Sequence, residues 1–126
     1  MTGALLGLGI DSVDIPRFAG VLERRPALSI RLFTAAERQY ASSLANPIPT
    51  LAGRFAAKEA VMKALGVGLG AFAWAEVEVE HLEGGAPRLV VTGRAASLAA
   101  GRGVAGWHLS ITHTATVASA VAAAVA

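Results

Sequence analysis

Apolar and polar positions change their period several times along the chain, and each change marks an element. In "ALLGLGI", Leu6, Leu8 and Ile10 alternate with Leu5, Gly7 and Gly9. That is the two-residue period of a buried strand, with one face reduced to glycine for close packing. The run ends on Asp11, and Ser12 or Asp14 is placed to cap a helix starting "DIPRFAGVLERR". Pro16 is tolerated in the first turn of that helix, Phe18, Val21 and Leu22 form its inner stripe, and Pro26 ends it. In "TAAERQY", Thr34 and Glu37 have the spacing of a capping box, which predicts a second short helix. "ANPIPT" reads as a loop in which Thr50 caps the longest helix, running to about Leu65, where Gly66, Gly68 and Gly70 terminate it in a flexible turn.

Beyond the glycines the period returns to two. "WAEVEVEHL" places Val77 and Val79 inward and Glu76, Glu78 and Glu80 outward, and "EGGAP" turns it back into "RLVVT" as a hairpin. "GRAASLAAGRG" is helical between glycines. "AGWHLSITH" is a strand with Trp107, Leu109 and Ile111 on one face and His108, Ser110 and Thr112 on the other. The tail "ATVASAVAAAVA" is open to both readings, because alanine favours helix while Thr116, Val117, Val121 and Val125 suit a strand; pairing back onto "WHLSITH" decides for strand. With no repeat and no linker, residues 1–126 make one α+β domain, a small antiparallel sheet packed with helices, one of them long and central.

Composition sharpens this reading in three places. The apolar fraction of 54% against 16% charged excludes disorder, but much of it is alanine, so the core is thin and association of subunits would stabilise it. The absence of cysteine removes disulfides and thiolate chemistry. A net charge of +2 gives no argument for nucleic acid. The first Asp comes too early for a signal peptide, and the apolar tail is short of the roughly 18–20 residues that span a bilayer, so a cytoplasmic protein without membrane contact is expected.

Charge position says more than charge total. Arg17, Arg24 and Arg25 form one cluster and Arg54, Lys58 and Lys63 another, as if for two acidic partners. In "RFAAKEAVMKALG", Leu51, Phe55, Met62 and Leu65 make an apolar stripe at about 100° per residue; Lys58 falls within it and Glu59 borders it. On an arbitrary helix Glu59 before Lys63 at i,i+4 would be a surface pair worth about 0.2–0.5 kcal/mol, with Lys58 laying its stem over the core edge. Cations gathered beside a glycine-rich turn instead fit a polyanion such as phosphate. A carboxylate among them would then hold a divalent metal, for which Asp11, at the end of a buried strand, is the natural second ligand.

"GLGIDSVDIPRF", "LFTAAERQY", "LAGRFAAKEAVMKALGVGLG" and "LSITHTATVASAVA" occur in order over nearly the whole chain. Together they resemble the holo-acyl-carrier-protein synthase family, small trimeric 4′-phosphopantetheinyl transferases. The resemblance implies their fold and their reaction, in which the hydroxyl of a carrier-protein serine attacks the β-phosphate of coenzyme A and adenosine 3′,5′-bisphosphate leaves. It implies that Asp11 and Glu59 bind Mg²⁺, that Glu59 or a metal-bound water near it takes the serine proton, and that Lys63 stabilises charge on the pyrophosphate. Arg54, Lys58 and the Gly66 turn would contact coenzyme A phosphates, and Ser110, Thr112 and His113 would lie near the adenosine bisphosphate. Arg17, Arg24 and Arg25 would dock the acidic apo-acyl carrier protein, and a homotrimer would hold coenzyme A between subunits. One departure is the loop "ASSLANPIPT", which has no basic residue to offer the 3′-phosphate where relatives often have one. The reading from another class is a non-catalytic module that binds coenzyme A or a carrier protein; the joint presence of Asp11, Glu59 and Lys63 speaks for the enzyme.

Overall fold

The computed structural model describes residues 3–126 as five strands and five α-helices. In chain order they are β1 (Leu5–Asp14), α1 (Ile15–Arg24), α2 (Leu28–Leu32), α3 (Ala35–Ser42), α4 (Ile48–Leu65), β2 (Val77–His81), β3 (Pro87–Val91), α5 (Gly93–Gly101), β4 (Gly106–His113) and β5 (Val117–Val125). A 3₁₀ turn, Trp74–Glu76, precedes β2. Two antiparallel sheets form instead of one: β1-β5-β4 and the hairpin β2-β3.

Local chemistry accounts for most of the boundaries. Asp14 caps α1 by accepting a hydrogen bond from the Arg17 amide at 2.8 Å, which selects it over Ser12. Both bonds of the Thr34–Glu37 capping box are made at the start of α3. Helix α4 starts earlier than its sequence indicates, at Ile48 after Pro47, so Thr50 lies inside the first turn and caps nothing. It stops where Gly66 turns left-handed (φ 68°), a conformation that costs glycine nothing. The short α2, which follows Pro26, carries no sequence signal beyond Leu28 and Leu32.

The ambiguous tail is a strand, β5, and it is the middle strand of its sheet. Its register pairs Ile10 with Val121 on one side and Ser110 with the same Val121 on the other. Ala118, Ala120, Ala122 and Ala124 are all buried on the inner face, against α4, whose Ala52, Ala56, Ala57 and Ala60 are equally inaccessible. Small side chains on both sides let helix and sheet approach closely. Tertiary pairing thus overrides the helical preference of alanine. The outer face of the sheet is uncovered in one chain, with Leu8 and Ile10 about 60% exposed. Among the described residues, no helix is long and apolar enough to cross a membrane.

Candidate active site

The pleat of β1 turns Gly7, Gly9 and Asp11 toward α4 while Leu8 and Ile10 face out. The glycines make that approach possible. A methyl group on Gly9 would lie 1.8 Å from the Ala60 carbonyl oxygen, and one on Gly7 would lie 2.0 Å from that of Ala64. Two residues past this contact, the Asp11 carboxylate meets the Lys63 ammonium at 3.1 Å, and Lys63 also donates to the Ile10 carbonyl at 2.9 Å. Glu59 precedes Lys63 by four positions, so the two share one side of α4. Partial burial pushes the Glu59 carboxyl above its ordinary range, the Asp11 charge adds to the rise, and Lys63 opposes it.

A cleft of about 820 Å³ opens from Asp11. Its walls include Phe18, Phe55, Phe72 and Trp74, and Arg17 and Arg31 bring positive charge to it. The aromatic wall is continuous: Phe18 stacks on Phe55 with ring centres 5.4 Å apart, and Phe55 lies 5.2 Å from Trp74. An acidic centre with an adjoining apolar groove can take a ligand that has a charged group and a long, weakly polar arm.

The sequence-indicated cations of α4 do not form one cluster. Lys58 is completely buried, so it cannot touch a phosphate as the resemblance implied. Its ammonium binds Glu37 Oε1 at 2.8 Å and the Trp74 carbonyl at 3.2 Å, and it also donates to the Val77 carbonyl. Burial lowers its proton affinity and Glu37 restores part of it; three acceptors around one nitrogen call for all three protons. Arg54 is 3% exposed and projects from the same side as Lys58, about 180° from Lys63. Its guanidinium lies 4.8 Å from the Tyr40 ring centre and donates to His81 Nδ1 at 2.8 Å. The three cations therefore do not flank Glu59 together.

The remaining residues fall in three places. Gly66 is exposed next to the site, but its amide is used in the helix cap, bonding the Lys63 carbonyl at 3.1 Å. Ser110 and Thr112 are exposed on the outer sheet face, in the rows of Val121 and Ser119. His113 is exposed at the end of β4 on the opposite pleat, with Nδ1 3.2 Å from the Thr114 carbonyl oxygen. No hydrogen bond or ion pair among the described residues joins these three to Asp11, Glu59 or Lys63. Arg17, Arg24 and Arg25 are exposed along α1 and its end, and only Arg17 also lines the cleft.

The donor set fits a magnesium-type ion. Asp11 and Glu59 supply two carboxylates close enough for one to raise the proton affinity of the other, and the Lys63 ammonium already bonds Asp11 Oδ1 as a cation would. No group of three or more His, Cys, Asp or Glu side chains suited to a metal occurs among the described residues. Two carboxylates leave most of an octahedral shell to water and phosphate, which is how magnesium is usually held.

Sequence reasoning missed Glu37 as the partner of Lys58, because its capping-box role already explained it. It also missed Phe55, Trp74 and Arg31 as cleft residues. An aromatic residue four positions before Glu59 was the available signal for Phe55; Arg31 and Trp74 arrive only through folding.

The fold and the site define a transferase class: residues 7–124 match the profile of the 4′-phosphopantetheinyl transferase superfamily, and the chain belongs to that family. Within it, the chain is 50% identical to the holo-[acyl-carrier-protein] synthase of Streptomyces griseus over 93% of its own length and 95% of that protein's. Its fold matches the crystal structure of the Neisseria meningitidis holo-[acyl-carrier-protein] synthase with a TM-score of 0.88 and 27% identity, covering 96% of this chain and 98% of that one. The Bacillus anthracis synthase, solved in complex with CoA (3′,5′-ADP), matches with a TM-score of 0.82 and 29% identity over 100% of this chain and 99% of its own.

Proposed function

We propose that this chain is a holo-[acyl-carrier-protein] synthase, moving 4′-phosphopantetheine from coenzyme A to a serine of an apo-acyl carrier protein. The observation that carries the reading is the Asp11–Lys63 pair, with Glu59 four positions before Lys63 and Asp11 lining the cleft. In the reaction the serine oxygen bonds to the β-phosphorus of coenzyme A as the bond to adenosine 3′,5′-bisphosphate breaks. Bound at Asp11 and Glu59, Mg²⁺ would neutralise charge on the pyrophosphate oxygens. Glu59, or a water beside it, would accept the serine proton. Lys63 orients Asp11 and supplies positive charge where the leaving phosphate gains negative charge.

The exposed arginines of α1 are the docking surface for the acidic carrier. Because Arg17 lines the same cleft as Asp11, a carrier held there presents its serine to the carboxylates. A phosphate of coenzyme A would meet Arg54 only beside Tyr40 and His81. The bare outer face of β1-β5-β4 supports a homotrimer, in which Ser110, Thr112 and His113 would serve a neighbouring subunit's nucleotide. A cytoplasmic location belongs to the same reading.

The test is incubation with coenzyme A, Mg²⁺ and a panel of apo-carrier proteins, read by mass spectrometry of the carrier. A mass gain of one phosphopantetheine, lost on chelation of the metal, is expected. No gain with any carrier, while coenzyme A still binds, would favour the non-catalytic binding module.

A further inference from the structure

The helix that carries Glu59 and Lys63 is held on two sides in different ways. Toward β1 it rests on Gly7 and Gly9, backbone against backbone. That contact fixes the distance between helix and strand, and the side chain that resists a turn of α4 there is Lys63, a solvent-exposed tie to Asp11 and the Ile10 carbonyl. About 100° around the helix from Glu59 stands Lys58, whose buried ammonium is bonded to Glu37 of α3, to the carbonyl of Trp74 in the 3₁₀ turn and to that of Val77 in β2. Glu37 is equally tied: besides Lys58 it accepts from the Thr34 amide at 3.1 Å and from the Val79 amide at 3.1 Å. Every donor of the ammonium and both carboxylate oxygens are engaged. The node is a rigid arm reaching from α4 into three other elements.

We infer that Lys58 and Glu37 are positioning residues: they lock the rotation of α4, so that Glu59 faces Asp11, and they fix the Trp74 wall of the cleft to the same helix. The inference rests on the assignment of Asp11 and Glu59 above. Side-chain tips lie about 6 Å from a helix axis, so a turn of roughly 10° displaces the Glu59 carboxylate by about 1 Å. A misplacement of that size at a reacting centre can lower a rate about 100-fold. The favourable energy of a buried ion pair offers no sufficient reason for this node, since an apolar pair of similar volume is often as stable.

The experiment compares Lys58→Met and the milder Glu37→Gln with Leu98→Ala, a truncation of a partly buried side chain in α5 that makes no bond to the node. Each is measured for melting temperature, for kcat and the KM of coenzyme A, and for Mn²⁺ affinity by electron paramagnetic resonance without substrate. Lys58→Met is expected to lose 10- to 100-fold in kcat and about 10-fold in Mn²⁺ affinity, with the KM of coenzyme A changed less than threefold. Glu37→Gln should shift the same quantities in the same direction by less. Leu98→Ala should lose melting temperature alone. If Lys58→Met does not fold, Glu37→Gln decides. Unchanged kcat and Mn²⁺ affinity in the folded node variants, or losses no larger than those of Leu98→Ala, overturn the inference. Absence of transfer by the unsubstituted protein would instead count against the proposed function, and the Mn²⁺ arm would still judge the positioning role.

Discussion

Replacing Gly9 by alanine probes the contact on which the whole site is built. The added methyl would sit 1.8 Å from the Ala60 carbonyl oxygen and 2.8 Å from the Ala64 amide nitrogen, all backbone that cannot rotate away. Relief to an ordinary contact of about 3.4 Å requires β1 and α4 to separate by roughly 1.6 Å. Overpacking of this kind costs about 1–3 kcal/mol, which for a domain of this size lowers the melting temperature by about 4 °C per kcal/mol. The effect on chemistry should be larger than the effect on stability. Asp11 lies two residues along the same strand face, so a separation of more than about 1 Å carries its carboxylate away from Glu59 and Lys63, and a loss in kcat of about 100-fold or more follows. The assay is a mass-spectrometric time course of carrier modification, run beside a circular-dichroism melt. A Gly9→Ala protein that melts within 2 °C of the parent and turns over at the parent rate would refute the reasoning.

Other outcomes follow from the same geometry. Glu59→Gln should abolish turnover with the fold intact. The Glu59 carboxyl binds its proton more tightly in the folded chain than its ordinary 4.5, so its contribution to stability is full below that pH and is lost as pH rises through the raised value. In chelator, Glu59→Gln should therefore match the parent's melting temperature at low pH and equal or exceed it at neutral pH; a lower value at neutral pH would contradict this sign. Arg17→Glu should raise the KM for carrier at least tenfold, more at low salt, with the KM for coenzyme A nearly unchanged; equal losses for both substrates would remove Arg17 from the docking surface. Leu8→Glu puts charge in the bare sheet face and should convert a trimer to monomers in sedimentation, with loss of turnover at low protein concentration. A monomeric parent protein would end the trimer proposal.

Much of the fold could be read from the chain because local signals agreed with the global arrangement. Thr34 and Glu37 announce a helix by their own bonds, Gly7 and Gly9 announce a close approach, and Val77 and Val79 alternate with glutamates in the usual way for a half-exposed strand. Asp11 and Lys63, 52 positions apart, are paired in the structure as the motif set implied for one site. Lys58 could not be read correctly. A lysine within an apolar stripe is equally consistent with a stem lying over the core and with an ammonium inside it, and what decides is a carboxylate 21 positions away plus two backbone carbonyls. Arg54 misled for a related reason: spacing along a helix gives its direction, but not the aromatic ring and imidazole that meet it there.

The partner of β1 has a consequence for the order in which this protein acquires its activity. Leu5 to Asp14 pair only with Val125 to Val117, segments more than a hundred residues apart. The strand that bears Asp11 thus stays edge-on and unpaired until the last strand exists, and β5, being alanine-rich, has little reason to form before it is flanked by both neighbours. Helices α3 and α4 and the β2-β3 hairpin close locally and can form early. Asp11 and Glu59 are therefore expected to come together late in folding, and a chain truncated within residues 117–125 should keep its helices while losing the approach of Asp11 to Glu59 and Lys63.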